Sequence, residues 1–258
     1  MSTLDGKTAI VTGGGKGIGK GVVKSLLREG AGVCANYNSS ASMAEEMLEE
    51  LKGMGYGDRV FIWQADVSDR LQARAMVEET VKRFGHLDIL VNNAAMQTNL
   101  PLFASSQEVY ENLMRVNLRG YWLMMQECLP YLKEREHSRI ICVSSVHGKR
   151  PSDFDVVYAM AKGGMKMLVR EAAIEFGKYG ITVNVILPGG VKIEFKTGKP
   201  SGVSFQTGIP QDRKYITHPL GRGGLPSDVG DLAAYIASDL SDHLSGAGIR
   251  LDGCSMLL

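Results

Sequence analysis

From Lys7 to about Asp88, short apolar runs alternate with stretches in which apolar residues recur every three or four positions. Strand-length and helix-length patterns in alternation predict βαβ units and a parallel sheet. Thr8 to Thr12 reads as a first strand. After a glycine-rich turn, Gly17 to Glu29 carries Ile18, Val22 and Leu26 at helical spacing, and Gly30 ends that helix. Gly32 to Tyr37 is a second strand, Ala41 to Lys52 a helix, and Val60 to Ala65 a third strand. Ser68 or Asp69 then caps a helix running to Phe84. Leu87 to Val91, Arg139 to Ser144 and Thr182 to Ile186 complete the fourth to sixth strands, separated by long helices over about Val109 to Arg135 and Val156 to Tyr179. Between about Gly189 and Pro219 the period fails among glycines, prolines and lysines, the mark of a long irregular loop. A helix from about Ser227 to Ser238 and a strand over Gly248 to Leu251 close the chain. The whole, residues 1–258, reads as one doubly wound α/β domain of about seven strands with helices on both faces.

Composition narrows the setting. Hydrophobic residues make up 44% and charged residues 22%, enough to bury a sizeable core, and the formal net charge is +1. No global field draws such a molecule to nucleic acid or to an anionic membrane, so ligands are recognised locally. The four cysteines form no C-x-x-C pair and mostly sit in apolar runs, which points to a reducing compartment. Met1 to Gly6 is short and polar, and no run approaches the roughly 18 apolar residues that span a bilayer. A cytoplasmic location is expected. The five histidines lack metal-ligand spacing, so no metal site is expected.

The glycine turn carries the first chemistry. Gly13, Gly15, Gly17 and Gly19 follow the first strand and open the first helix, where bare backbone and helix N–H groups favour a diphosphate. Their spacing differs from G-x-G-x-x-G. Instead, Thr12-Gly13-Gly14-Gly15-Lys16-Gly17-Ile18-Gly19 resembles the TGxxxGxG turn of the short-chain dehydrogenase/reductase family. Asp66-Val67 is similar to that family's adenine-contacting pair, and Asn92-Asn93-Ala94-Ala95 to its NNAG segment with alanine for the last glycine. Pro188-Gly189 matches its PG turn, with Val191 and Ile193 beyond it on the nicotinamide side. Asn117, Ser145, Tyr158 and Lys162 fall where its catalytic tetrad falls. The resemblance spans Lys7 to Gly253 and implies a Rossmann-type single domain that binds NAD or NADP.

The end of the second strand bears on which dinucleotide is bound. A carboxylate there would hold a ribose 2′-hydroxyl and repel a 2′-phosphate. The chain reads Asn36-Tyr37-Asn38-Ser39-Ser40, with no carboxylate, and Lys16 stands in reach as a point charge. This favours NADP over NAD, with an ordinary solvated lysine as the alternative for Lys16.

Tyr158 and Lys162, four apart on a helix, share one face. An ammonium beside a phenol stabilises the phenolate and lowers its pKa from about 10, and an oxidised nicotinamide adds positive charge. Tyr158 then serves as general base in oxidation and general acid in reduction. Ser145 ends the fifth strand, at the carboxyl edge that faces the ligand crevice, where its hydroxyl can bond the substrate oxygen. Ser144 competes for that role, and the family's serine-to-tyrosine interval favours Ser145. Asn117 interrupts an apolar helix and needs partners. The resemblance gives it a water that links Lys162 to solvent; otherwise it is a structural, helix-distorting amide.

Substrate choice falls to the loop after the fifth strand, with His147, and to the segment after Pro188, with Phe195. Ser144-Ser145-Val146-His147 and the stretch from Tyr158 to Lys166 are similar to the bacterial glucose 1-dehydrogenases of the family. Ile193 stands where the family often has a threonine for the nicotinamide carboxamide. Glu194 to Lys214 is longer and more basic than a hexose enzyme suggests. A sugar or polyol dehydrogenase is expected first, then a 3-oxoacyl reductase or a hydroxysteroid dehydrogenase. A non-catalytic dinucleotide-binding redox sensor is the rival from another class. The two long helices are apolar on more than one face, as Leu113, Val116, Tyr121 and Trp122 show, so a homodimer or homotetramer is expected.

Overall fold

The computed structural model describes residues 3–151, 155–193 and 219–257. Its centre is a seven-stranded sheet: β1 (Thr8–Val11), β2 (Gly32–Tyr37), β3 (Val60–Gln64), β4 (Ile89–Asn92), β5 (Arg139–Val143), β6 (Thr182–Pro188) and β7 (Gly248–Leu251). The spatial order is β3-β2-β1-β4-β5-β6-β7, and every neighbouring pair is parallel. The order reverses between β1 and β4, so the connections leaving these two strands diverge and open a crevice at their carboxyl ends.

Helices α1 (Gly17–Arg28), α2 (Ala41–Gly53), α3 (Arg70–Phe84), α4 (Gln107–Met114), α5 (Gly120–Leu132), α6 (Val156–Gly177) and α7 (Pro226–Ala237) flank the sheet. One face packs Met76 and Val77 of α3, Met124 and Cys128 of α5, and Val169 and Phe176 of α6 against Ile10, Leu90 and Ile140. The other packs Val22 and Leu26 of α1, Met47 and Leu51 of α2, and Val229 and Ala233 of α7 against Val11, Val91 and Ile141. Central strands covered on both sides bury every residue, which is why β1, β4 and β5 are apolar but for one end residue each, Thr8, Asn92 and Arg139.

Most elements fall within a residue or two of expectation. Between Ser68 and Asp69 the cap is Asp69, whose carboxylate accepts from the N–H groups of Leu71 and Gln72. One expectation needs correction. The single long helix over about Val109 to Arg135 is three pieces: α4, a π-helical turn over Arg115–Arg119, and α5. The turn centres on Asn117, whose side chain bonds the backbone of Met96 in the β4–α4 loop, and a wider turn there aims the amide at that loop.

Helices α1 and α7 cross on glycine. A Cβ at Gly230 would lie 2.5 Å from the Gly21 carbonyl oxygen and 2.6 Å from Ser25 Oγ, both against fixed partners. Gly230→Ala should therefore force the helices apart and destabilise the fold by about 1–3 kcal/mol, read as a lower Tm. Gly53→Ala, at the end of α2 with open space around it, should leave Tm unchanged or raised.

Candidate active site

The glycine turn sits at the point where strand order reverses. Thr12 fixes it there: its hydroxyl accepts from the N–H of Asn93 at 2.8 Å and of Ala94 at 3.0 Å. The Asn93 amide returns two bonds, to the carbonyls of Thr12 and Gly13. Gly13 has φ of 62°, and a Cβ on it would stand 2.9 Å from Ala94 Cα. A Cβ on Gly19 would meet the Gly13 carbonyl at 2.1 Å. These two positions need glycine because the turn folds back on itself and on the start of the β4–α4 loop.

Among the described residues no side chain caps α1, whose N-cap is Lys16. The first-turn N–H groups of Gly17, Ile18 and Gly19, beside Gly15, thus form a donor set at the positive end of the helix dipole, which fits a dinucleotide's diphosphate. On the adenine side, Asp66 is tied to Ser68 at 2.5 Å and to Arg115 at 2.7 Å. Burial raises its pKa, but the hydrogen bonds from Ser68 and Arg115 outweigh that and hold it below the usual carboxylate value. Val67 is buried beneath it, against Gly120. At the end of β2, Tyr37 is half-buried while Asn38 and Ser39 are exposed, and Lys16 is exposed on the neighbouring turn. Gly15 brings the two turns together, since a Cβ on it would lie 2.9 Å from Ala44 Cβ on α2.

The reacting groups come from two elements. Ser145 follows β5 and is buried; its Oγ accepts from the His147 N–H at 3.1 Å in a 3₁₀ turn over Val146–Gly148. Tyr158 and Lys162 lie on α6. Gly148 locks the turn to the helix: a Cβ there would stand 2.6 Å from the Lys162 carbonyl oxygen. That carbonyl also accepts from Ser144 Oγ at 2.9 Å. The pair of serines is thereby divided, with Ser144 spent on the helix and Ser145 turned to Tyr158, whose phenol it hydrogen-bonds.

The charge relation between Tyr158 and Lys162 differs from expectation. Burial raises the Tyr158 pKa above its ordinary value and the Ser145 bond only partly offsets it, while Asp155 pushes it up further. Lys162 presents its ammonium to the backbone of β5. Its Nζ donates to the Val143 carbonyl at 2.8 Å and to Tyr121 Oη at 3.4 Å, and lies 5.6 Å from the Tyr158 ring centroid. Lys162 is 2% exposed, and burial lowers its pKa to about 7. Asn117 is fully buried, and its amide is spent on Met96, donating to the carbonyl at 2.8 Å and accepting from the N–H at 2.7 Å. The side chain thereby braces the β4–α4 loop against the π-helical turn.

The remaining sequence candidates are also placed. Pro188 ends β6, and a Cβ on Gly189 would press on Asp252 of the chain's last segment. Val191 forms a bridge with Gly224, and this pins Ile193 over the glycine turn, 3.1 Å from where a Gly17 Cβ would stand. Ala95 precedes Met96 in the loop held by Asn117. His147 is partly buried, its Nδ1 3.3 Å from the Pro151 carbonyl. Phe195 and the rest of 194–218 lie outside the described residues. His137, Asp239 and Asp242 approach one another at the opposite edge of the sheet, where Arg139 already bonds Asp242.

Two contributors were not singled out from sequence. Asn36 is buried, accepts from Gly13 N–H at 3.1 Å, and donates to the carbonyls of Tyr37, Trp63 and Ala65. The signal available was an amide inside an apolar strand directly before the cofactor-side loop. Tyr121 carried no signal beyond its apolar helix.

The family model for short chain dehydrogenases matches residues 7–202. The chain belongs to the short-chain dehydrogenase/reductase family. It is 36% identical to versicolorin reductase 1 of Aspergillus parasiticus, over 97% of this chain and 96% of that one. It is 31% identical to the 3-oxoacyl-(acyl-carrier-protein) reductase FabG of Staphylococcus aureus, over 96% and 97%. Among solved structures, a short chain dehydrogenase from Burkholderia cenocepacia in complex with NADP matches with a TM-score of 0.85 at 29% identity, covering 97% of this chain and 98% of that one. Among the described residues no helix is long and apolar enough to cross a membrane.

The burial of Lys162 gives stability a pH dependence. Its folded pKa of about 7 lies below the ordinary 10.5, so between those values the unfolded chain holds a proton that the folded chain has released, and stability rises with pH. Above pH 9 the buried thiols of Cys34 and Cys142, both pushed up to about 12, and Cys128, also raised, act in the opposite direction. Between pH 7 and 9 the stability of the wild type relative to Lys162→Met should rise by about 2 kcal/mol, measured by urea denaturation. A flat difference across that window would mean that the ammonium is solvated.

Proposed function

We propose that the protein is an NADP-dependent ketone reductase that also runs in reverse as a secondary-alcohol dehydrogenase. The observation that carries this reading is the convergence of the half-buried Tyr158 phenol, the Ser145 hydroxyl and Lys162 beside a glycine turn suited to a diphosphate. NADPH, when bound, supplies the hydride. The chain's own groups do the rest. Ser145 donates a hydrogen bond to the substrate oxygen as negative charge develops there, a differential stabilisation of the transition state. Tyr158, protonated near neutral pH, delivers the proton to that oxygen. Lys162 supplies positive charge to the phenolate that forms, and Asn117 holds the Met96 loop beside it.

The cofactor choice rests on the exposed donors Asn38, Ser39 and Lys16 and on the lack of a carboxylate at the end of β2. NAD is the alternative. The substrate is a small carbonyl compound. Reductase names among the relatives favour a ketone as substrate over the sugar or polyol suggested by motif similarity. Within the ketones, 3-oxoacyl thioesters stand beside aromatic ketones of naphthalene type, in keeping with the names of relatives, and ketosteroids, the substrates of a hydroxysteroid dehydrogenase working as a reductase, follow. A redox sensor without catalysis would not require Ser145, Tyr158 and Lys162 to meet. Neither a nucleic acid nor a membrane is a partner in this reading, and the compartment is the cytoplasm.

Purified protein should oxidise NADPH faster than NADH against at least one member of a panel of acetoacetyl thioester, 1-tetralone, a ketohexose and a 3-ketosteroid. Tyr158→Phe should lower kcat by about 10²–10⁴-fold and leave NADPH binding by fluorescence nearly unchanged. Tight NADPH binding with no turnover on any carbonyl would favour the sensor instead.

Self-association belongs to the same reading. Trp122 on α5 and Met160, Met167 and Ile174 on α6 are each 43% exposed or more, an apolar face suited to a second copy. Light scattering at micromolar concentration should give the mass of a homodimer or homotetramer, and a monomer mass would refute this.

A further inference from the structure

Lys162 is anchored by a residue that no motif names. Tyr121, on α5, is 1% exposed, and its Oη donates to the Val143 carbonyl at 3.1 Å. The Lys162 ammonium uses the same carbonyl at 2.8 Å and reaches Tyr121 Oη at 3.4 Å. It also lies 5.3 Å from the centroid of the Tyr121 ring, against 5.6 Å for Tyr158, so two phenols flank one cation. The backbone of Tyr121 is fixed from the sheet, since Asn92 Nδ2 donates to its carbonyl at 3.1 Å. Besides the two phenols, the polar groups of β5 facing the ammonium are the Val143 carbonyl and Cys142, whose thiol burial keeps protonated. Ser144 bonds the backbone of Lys162 rather than its amine, and Asp155 acts on Tyr158. Among the described residues no carboxylate pairs with Lys162. A buried ammonium without a counter-ion depends on its acceptors and on nearby π faces to stay charged.

We propose that Tyr121 is a positioning residue for the reaction: its hydroxyl and ring seat the Lys162 ammonium against the Val143 carbonyl, between two aromatic rings. The catalytic consequence rests on the role given to Lys162 under the proposed function, whereas the placement itself does not. Tyr121→Phe keeps the ring and removes one of two oxygen acceptors. The charged form of Lys162 loses that bond and the neutral form does not, so the proton is released at lower pH.

Two measurements test this. In the first, urea denaturation from pH 5 to 9 compares Tyr121→Phe with Tyr121→Phe/Lys162→Met, and wild type with Lys162→Met. The inflection belonging to Lys162 should move down by about half to one pH unit in the Phe background. In the second, the alkaline limb of kcat/KM for NADPH-dependent reduction of acetoacetyl thioester or 1-tetralone, whichever turns over, should move down by the same amount. That is a 3–10-fold loss at pH 8 with little change at pH 6. A lowered Tm with both the inflection and the limb unmoved would overturn the proposal and leave Tyr121 as core packing. If Lys162→Met keeps its turnover, the functional reading of the site fails, and the denaturation inflection still decides whether Tyr121 seats the ammonium.

Discussion

The structure hangs on a short set of buried hydrogen bonds where β1 ends. Thr12 takes the N–H groups that follow β4, Asn93 gives its amide back to the turn after β1, and Asn36 reaches over from β2 to the same turn. Three neighbouring strands are thereby held in register at their carboxyl ends, where each connection would otherwise be free to splay. In a low-dielectric interior such bonds are costly to leave unmade, which makes the geometry of the turn steep rather than soft. A diphosphate cradle of bare backbone is useful only if its donors are held in place beforehand, and these polar side chains provide that rigidity.

The catalytic half is built by a different device, the close approach of a short turn to a long helix. Gly148 and Ser144 both engage the Lys162 backbone carbonyl, so Ser145 and α6 cannot shift independently. Distance between the serine hydroxyl and the phenol is thus set by backbone packing, not by flexible side chains, and this is the preorganisation that differential transition-state binding needs. Burial in the same place produces opposite shifts in its two titrating groups. It disfavours phenolate on Tyr158 and ammonium on Lys162, so each group's protonation depends on what approaches it.

Much of this was legible in the sequence, because the relevant signals are local. Strand-length apolar runs, the glycines between β1 and α1, and the four-residue interval from Tyr158 to Lys162 each follow from one short stretch of chain. What was not legible depends on contacts across the fold. Nothing near Asn117 states that Met96, 21 positions earlier, will bond its amide or that the helix will widen there into a π turn. The direction of the Lys162 side chain follows from the Val143 carbonyl and Tyr121, which arrive from a strand and from another helix. The same limit explains why the pKa of Tyr158 ran opposite to expectation: helical spacing brings two residues to one face, but burial and competing acceptors decide where the ammonium goes.

The π turn at Arg115–Arg119 also acts as a rotary offset between the helices it joins. One residue beyond the ordinary winding turns everything after it by about 100° relative to an uninterrupted helix. Asn117 faces the β4–α4 loop, and Tyr121, four positions on, faces the interior of the sheet. One extra amino acid in the winding thereby lets a single rod serve two differently oriented surfaces. Its loss would swing the second half of the rod out of phase with the strands it covers.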